Sequence, residues 1–161
     1  MTPGCKNCLE GSGLGAIRSV SECNLNCRYC YYYGDSDPAL LSDHFKWRDF
    51  YYTKDDIKMM FDKQEREQLG GLCWVYYEPF MDFDKHPELI AYITSKGIHQ
   101  HMYTNGTLCT EEHFRILQDS GLTELRFDLA ATNCSRKVLK NMRIARKYFE
   151  YLCVESPMYE V

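Results

Sequence analysis

The sequence lacks any apolar run of about 18 residues or more, so no segment is predicted to cross a membrane. It also lacks an excess of positive charge, because the net charge is -4 and the charges are mixed along the chain. A general nucleic-acid binder would need a basic stripe, and the basic run Arg136–Lys147 is instead interpreted as the solvated face of a helix. Residues 1–8 have no apolar segment of the kind found in secretion signals. These absences predict a cytoplasmic protein.

The chain holds nine cysteines among its 161 residues, which is a large number. Since no secretion signal is recognised, the thiols are expected to stay reduced and available to a metal. An odd count also fits a complete set of disulfides poorly. The length fits one domain, which we divide into an N-terminal segment, residues 1–14, that contains Cys5-x-x-Cys8, and a core, residues 15–161.

Short apolar runs alternate with amphipathic helices along the core, which is typical of an α/β fold with a parallel sheet and right-handed crossovers. The predicted strands are residues 16–20, 72–77, 98–103, 122–129 and 151–155. The predicted helix N-caps are Thr53, Asp84 and Thr110, and the predicted inward-facing helix residues are Leu89, Ile90, Ile93, Val138, Met142, Ala145 and Phe149. A doubly wound sheet and an opened barrel both satisfy this order.

Polar residues follow each predicted strand, where ligands bind in both of these folds. They are the cysteine loop after the first strand, Glu78-Pro79 after the second, residues 104–106 after the third, residues 128–132 after the fourth and residues 155–157 after the fifth. Because the carboxyl ends of parallel strands meet at one edge, these groups are expected to converge on one mouth. The long connection at residues 31–52 is either a lid over that mouth or simple aromatic packing.

The strongest signal is the loop that carries Cys23, Cys27 and Cys30. Three thiolates in one polar loop can hold three irons of a 4Fe–4S cluster, and the missing fourth cysteine leaves one iron open to a substrate. A zinc site completed by Cys5 and Cys8 is the competing interpretation. The remaining cysteines are interpreted as mostly core residues: Cys73, Cys109, Cys134 and Cys153.

The spacing Cys-x3-Cys-x2-Cys, with an aromatic residue before the last cysteine, resembles the signature of the radical S-adenosylmethionine (radical SAM) superfamily. The resemblance extends from about Cys5 to Tyr159, and the N-terminal part is similar to members related to glycyl-radical-enzyme activases. It implies a partial (β/α) barrel, a 4Fe–4S cluster and S-adenosylmethionine as cofactors. It also implies reductive cleavage to a 5'-deoxyadenosyl radical, which abstracts hydrogen from a substrate. An electron donor of flavodoxin or ferredoxin type and an unknown substrate, for an activase a protein, would be its partners.

The resemblance also implies which residues contact S-adenosylmethionine near the cluster. Tyr29 matches the aromatic position near the adenine. Glu78 and Pro79 match the end of the family's Gly-Gly-Glu-Pro motif, which meets the methionine amino group, although Tyr76 and Tyr77 replace its glycines. Glycine lets a backbone approach a ligand closely, so the tyrosines weigh against the backbone contact. The competing interpretation of Glu78 is a surface carboxylate.

Three further contacts are implied at the later strands. Asn105 matches the family's Thr-Asn-Gly and either binds ligand or only forms a turn, since Asn-Gly is a common turn pair. Asp128 occupies the region that touches the ribose hydroxyls, and an ion pair with Arg126 or Arg28 is its alternative role. Glu155 falls where the family places further contacts.

The family usually has six βα units, and this sequence supplies about five, with the sixth missing. A fifth strand left at the edge exposes unpaired backbone groups, which predicts partial instability or oligomerisation. Two other functions stay open at this point. One is a 4Fe–4S electron-transfer or scaffold protein that never cleaves the cofactor, and the other is a zinc-stabilised binding module.

Overall fold

A computed structural model describes residues 14–17, 22–27, 30, 55–56, 58–59, 71–75, 77–130 and 134–155. Several predicted features lie outside the described residues. They are the pair Cys5 and Cys8, Arg28, Tyr29, the connection 31–52, the helix cap Thr53, Tyr76, and residues 131–133 and 156–161. No helix within the described ranges has the length and apolar character needed to cross a membrane.

The described strands form one parallel sheet whose spatial order follows the chain order, 1-2-3-4-5. The strands are β1 (Leu14–Ile17), β2 (Gly71–Trp74), β3 (His99–Thr104), β4 (Glu124–Asp128) and β5 (Tyr151–Glu155). A doubly wound sheet reverses its strand order at a switch point, whereas a (β/α) barrel adds each strand beside the last one. The uniform order therefore confirms the partial barrel, and the sheet is open.

Among the described residues between β2 and β5, three helices and one 3-10 segment connect the strands. They are the 3-10 segment Pro79–Lys85, α1 (Pro87–Ser95), α2 (Glu111–Asp119) and α3 (Arg136–Ala145). Thr110 caps α2 as predicted, because its hydroxyl accepts a hydrogen bond from the His113 N–H at 3.2 Å. The prediction that Asp84 caps a helix is wrong: Asp84 lies inside the 3-10 segment, and α1 begins at Pro87, whose fixed φ suits a first helical position.

The helices pack against one face of the sheet and form the core there. Leu89, Ile90 and Ile93 of α1 are buried as predicted. Val138, Ala145 and Phe149 are buried as well, while Met142 is half-buried. The strand residues in this core are Leu72, Trp74, Met102, Leu125 and Phe127. Because successive strand residues point to opposite faces, the residues between these project from the other, inner face.

The inner face of the sheet is polar, in contrast to the helix-covered face. Its described residues include Cys73 on β2, His99, His101 and Tyr103 on β3, Glu124, Arg126 and Asp128 on β4, and Cys153 and Glu155 on β5. Such a polar inner face suits a barrel that binds a ligand inside rather than one filled by apolar layers.

The surface predictions have mixed outcomes. All six basic residues of the run Arg136–Lys147 are exposed, so this run is the solvated face of α3 and the turn after it. Cys73 and Cys109 are buried, as predicted, and Cys153 is half-buried. Cys134 is exposed, so its interpretation as a core residue is wrong. It lies directly before Ser135, which caps α3, and a helix start is commonly solvated.

Candidate active site

The cysteine loop follows β1 and lies against the carboxyl ends of β2 and β3. A turn closes between Cys27 and Cys30, since the Cys30 N–H donates to the Cys27 carbonyl at 2.9 Å. The Glu78 N–H donates to the Glu22 carbonyl at 3.2 Å, which ties the loop to the end of β2. Asn24 reaches the segment after β3, because its Nδ2 donates to Thr107 Oγ1 at 2.8 Å. The loop is therefore held from two neighbouring strands.

The three cysteines are half-buried and close enough to influence one another. Burial raises the pKa of the Cys23 thiol, and a backbone hydrogen bond from Leu25 opposes this rise. The negative charges of Glu78, Cys27 and Cys30 raise the pKa further. These charge effects place the three thiols and the Glu78 carboxylate in one electrostatic neighbourhood.

The three thiols come from one loop, and each can bind a different iron of a 4Fe–4S cluster, which takes cysteine thiolate ligands. A structural zinc site has four ligands, so a zinc ion here would need a fourth ligand beside these three.

Glu78 is a buried carboxylate with three hydrogen-bond donors around it. Its Oε1 accepts from Thr104 Oγ1 at 2.8 Å and from the Phe80 N–H at 3.2 Å, and its Oε2 accepts from the Asn105 N–H at 2.8 Å. Burial raises its pKa to about 7, although these hydrogen bonds oppose the rise. The side chain is 1% exposed, so the interpretation as a surface carboxylate is wrong. Glu78 joins the ends of β2 and β3.

The residues on either side of Glu78 explain how this turn forms. Tyr77 has a φ of 59°, which lies in the left-handed region that glycine adopts without steric cost. This tyrosine occupies the second glycine of the family's motif, so the backbone keeps a glycine-like conformation despite the substitution. Pro79 is buried and occupies the first position of the 3-10 segment, where its missing N–H costs nothing.

Asn105 both forms a turn and contacts the cysteine loop. Its Oδ1 accepts from the Thr107 N–H at 2.9 Å and from Thr107 Oγ1 at 2.6 Å, which closes an Asx turn. Its Nδ2 donates to Asn24 Oδ1 at 3.0 Å and lies 3.9 Å from Cys23 Sγ. Sequence reasoning overlooked Asn24 and Thr107, whose only signal was their polarity beside the cysteine and Thr-Asn-Gly motifs.

Gly106 and Asn141 fix the loop after β3 from the core side. Gly106 has a φ of 75°, and a Cβ built there would lie 2.7 Å from the Phe127 ring. Asn141 of α3 is buried, and its Nδ2 donates to the Gly106 carbonyl at 2.9 Å and to the Cys109 carbonyl at 3.1 Å. Sequence reasoning also missed Asn141, a polar residue on the inner face of a predicted helix, which was a usable signal because such residues need partners.

Asp128 and Glu155 lie side by side at the carboxyl ends of β4 and β5, where they are register partners. Burial raises the pKa of Asp128, and the charge of Glu155 raises it further. Glu155 Oε1 accepts from Tyr103 Oη at 2.8 Å and from Arg126 Nη1 at 3.0 Å. Arg126 also donates to Glu124 from its Nε at 2.7 Å. Glu155 is thus part of a charged network on the inner face.

Comparison with known proteins places this arrangement in a family. The sequence model of the Radical SAM superfamily matches residues 17–153, which is most of the chain. The chain belongs to the radical SAM superfamily. This assignment confirms the resemblance predicted from the cysteine spacing at the level of the superfamily, while the likeness to glycyl-radical-enzyme activases stays a prediction.

The relatives of this radical SAM chain are distant and longer. An uncharacterised protein of Methanocaldococcus jannaschii is 26% identical over 144 residues, which cover 83% of this chain and 43% of that protein. BtrN, solved in complex with AdoMet and 2-DOIA, aligns with a TM-score of 0.54, 19% identity, 87% of this chain and 56% of its own. The enzyme anSMEcpe, solved with bound AdoMet, aligns with a TM-score of 0.58, 18% identity, 88% of this chain and 42% of its own. The radical SAM chain thus spans about half the length of these proteins, and the solved structures support its fold.

Proposed function

We propose that this chain forms the core of a radical SAM enzyme, with a 4Fe–4S cluster on Cys23, Cys27 and Cys30. These cysteines would hold the cluster, which would supply the electron for reductive cleavage of S-adenosylmethionine and so the 5'-deoxyadenosyl radical chemistry of hydrogen abstraction. Membership of the superfamily supports this proposal, as do two fold neighbours that were solved with AdoMet. Its substrate is open.

One observation carries the proposal: the cysteine loop is hydrogen-bonded to the ends of β2 and β3. Glu22 and Asn24 of this loop bond to Glu78, Asn105 and Thr107. An electron carrier needs only a shielded cluster, and it gains nothing from polar groups at neighbouring strand ends. This convergence favours an enzyme with a ligand beside the cluster over an electron-transfer or scaffold protein.

Some residues of the site would hold its loops in place, and others would contact S-adenosylmethionine. The Glu78 carboxylate accepts a hydrogen bond from the Asn105 N–H. The Asn105 side chain donates to Asn24 and lies 3.9 Å from the Cys23 sulfur. These bonds keep the cysteine loop and the loop after β3 in one geometry. We assign to Tyr29, Glu78, Pro79, Asn105, Asp128 and Glu155 the contacts to S-adenosylmethionine.

Glu78 suits the methionine ammonium because it combines charge with burial. Among the described residues, its Oε2 has one hydrogen-bond donor, the Asn105 N–H, and a carboxylate oxygen can accept two. A pKa of about 7 means that a cation nearby would hold it in the charged form. Glu155 is already engaged by Tyr103 and Arg126, so its role would be to shape the mouth through that network.

The test is formation of 5'-deoxyadenosine. The full chain is reconstituted with iron and sulfide without oxygen, reduced with dithionite and supplied with S-adenosylmethionine, and the product is measured by mass spectrometry. The native chain and the Cys134→Ala variant are expected to give product, because Cys134 is exposed and outside the loop. The Cys27→Ala variant is expected to give none.

Other outcomes point to the other functions. A cluster visible by electron paramagnetic resonance without product would favour an electron carrier. A colourless protein that retains zinc through its cysteines would favour a zinc-stabilised module. Equal product from native and Cys27→Ala protein would overturn the assignment of the cluster ligands.

The proposal also covers the substrate, the electron donor, the location and the domain boundaries. A protein substrate, as for an activase, an electron donor of flavodoxin or ferredoxin type and a cytoplasmic location are all retained as hypotheses. One neighbour was solved with a bound peptide and another with 2-DOIA, so substrate trials should include both peptides and small molecules. The division into an N-terminal segment, 1–14, and a core, 15–161, is also retained, and β1 begins at its border.

A further inference from the structure

A second group of ligand-type side chains lies away from the cysteine loop. His99, His101 and Glu124 each place one ligand atom so that all three atoms lie within 4.8 Å of one another. His99 is the first residue of β3, and Glu124 is the first residue of β4. The carboxyl end of β3 is roughly 16 Å away, at about 3.3 Å per residue. This group therefore lies at the opposite end of β3 from the cysteine loop, and Arg126 links its Glu124 to Glu155.

The strand register explains why the three side chains meet. His99 and His101 are two residues apart on β3, so both project from the inner face of the sheet. His101 and Glu124 are direct neighbours in the parallel register of β3 and β4. Two histidines and one carboxylate are thus fixed on rigid strands, which position a site more accurately than loops do.

The spacing is close to what one metal ion requires. His99 Nε2 lies 3.0 Å from Glu124 Oε2. Zinc binds histidine nitrogen and carboxylate oxygen at about 2.0–2.2 Å, so neighbouring ligand atoms of a tetrahedral ion lie about 3.3 Å apart. The His101 ligand atom lies within 4.8 Å of the other two, so it needs to approach them by about 1.5 Å at most.

The environment of the His101 ring is the observation that points to a ligand. Its side chain is 1% exposed, and its buried Nδ1 has no hydrogen-bond partner among the residues that the structure describes. A buried polar atom without a partner costs about 1–3 kcal/mol, and such atoms often mark an unseen water or ion. A histidine ring nitrogen of this kind can bind a metal ion.

Glu124 is oriented as metal-binding carboxylates usually are. Its Oε1 accepts a hydrogen bond from Arg126 Nε at 2.7 Å, while its Oε2 faces His99. Arg126 thus fixes one oxygen of Glu124, and the other oxygen lies 3.0 Å from His99 Nε2. Hydrogen bonds of this kind hold ligands in place around a metal.

We propose that His99, His101 and Glu124 form a second metal site, which binds a divalent transition ion of the zinc class at the amino ends of β3 and β4. Two histidines and one glutamate are a known donor set for zinc. The ion would tie β3 to β4 and give the His101 ring a partner. Because the site lies at the amino ends of the strands, where residues of barrel proteins serve stability, its expected role is structural.

The test is zinc content by equilibrium dialysis and mass spectrometry on the full chain. The native protein, His101→Gln and the control His113→Gln are treated with chelator and then dialysed against zinc chloride. His113 is a half-buried histidine outside the site. His101→Gln is expected to bind about one equivalent of zinc less than the other two. The same difference is expected in a Cys27→Ala background, because the cysteine loop is separate. Equal zinc in all three proteins would overturn the proposal.

Cobalt reports on the donor type and does not depend on a variant that folds. The accessible thiols of the native chain are blocked with iodoacetamide, and cobalt chloride is added. Visible d–d bands without a sulfur-to-cobalt charge-transfer band are expected from nitrogen and oxygen donors. No cobalt spectrum after blocking, or a spectrum dominated by the sulfur band, would contradict the site. If His101→Gln does not fold, the more exposed His99→Gln replaces it in the dialysis.

Discussion

Polar side chains from separate parts of the sequence meet at both ends of β3, but they are brought together in different ways. At the carboxyl end, Asn105 meets Asn24 through loops, and Glu78 holds the Asn105 main chain. At the amino end, His101 and Glu124 project directly from paired strands. A site made by loops depends on each hydrogen bond and each unusual φ angle. A site made by strands depends on register alone, which the whole sheet determines.

The largest expected effect that separates the two ends is that of Gly106→Ala. Its φ of 75° disfavours alanine, and the new Cβ would lie 2.7 Å from the Phe127 ring and 3.1 Å from Val138. Left-handed strain of about 1–2 kcal/mol and crowding of about 1–3 kcal/mol predict a loss of about 3 kcal/mol in the free energy of unfolding. Urea unfolding measures it, and 5'-deoxyadenosine formation should fall.

Gly97→Ala is the matched control for this substitution. Gly97 has a φ of 73° and is exposed after α1, so alanine there meets the backbone strain without the Phe127 ring. We expect a loss of about 1–2 kcal/mol and unchanged product formation. If both variants lose the same stability, packing behind the loop after β3 is not what holds the candidate active site.

The next effect is a pH dependence that belongs to the carboxyl end. The folded pKa of Glu78 is about 7, above its ordinary value of 4.5. A raised carboxyl pKa means that the folded state binds the extra proton, so the Glu78 contribution is full below about pH 4.5 and is lost as the pH rises to about 7. The shift corresponds to about 3 kcal/mol.

Glu78→Gln removes this titration. The difference in unfolding free energy between native and variant protein should change by about 3 kcal/mol between about pH 4.5 and about pH 8, with the native chain relatively more stable at the acidic end. Guanidinium unfolding at both pH values measures it. A difference that stays constant with pH would show that Glu78 does not titrate in this range.

A smaller effect is expected at the amino end. In the metal-free chain, His99→Ala removes a 3.0 Å hydrogen bond to the buried Glu124 carboxylate. We expect a loss of about 1–2 kcal/mol in the free energy of unfolding, with formation of 5'-deoxyadenosine preserved. The control Lys147→Ala removes an exposed ion pair with Glu111 at 3.9 Å and should cost less than about 0.5 kcal/mol. Loss of 5'-deoxyadenosine formation in His99→Ala would show that the two ends of β3 are coupled.

The smallest effect concerns the tyrosine that replaces a family glycine. Tyr77→Gly relieves left-handed strain but adds freedom to the unfolded chain, so its free energy of unfolding, measured by thermal unfolding, should match the native one within about 1 kcal/mol. Tyr77→Val keeps a Cβ, and its branched side chain is disfavoured at a φ of 59°, so it should be clearly less stable than Tyr77→Gly. Equal stability of the two variants would contradict a backbone reason for glycine at this position.

Patterns that repeat along the chain made the fold predictable. The fifth strand, residues 151–155, was predicted with its observed limits, and Thr110 was recognised as a cap from its following acidic turn. Asp84 was misplaced because periodicity does not distinguish a 3-10 segment from the first turn of a helix. The side chain of Pro87 gave the better signal for where α1 begins.

The residues of the candidate site were easier to predict than the hydrogen bonds between them. Glu78 and Asn105 follow strands, so their location at the mouth followed from the fold class. The burial of Glu78 and the bonds of Asn24 and Asn141 were not predictable, because each joins residues far apart in sequence. The partners of a polar side chain across such distances depend on loop geometry, which local patterns do not contain.

The sequence by itself determined the superfamily, the three cysteines of the loop and the alternation of strands and helices, since these depend on residue spacing and local periodicity. Only the tertiary structure decided the uniform strand order, the burial of Glu78 and the meeting of His99, His101 and Glu124. The reason is physical: strand pairing and register arise from packing of the whole sheet. Two histidines two residues apart acquire a carboxylate neighbour only when β4 pairs with β3 in that register.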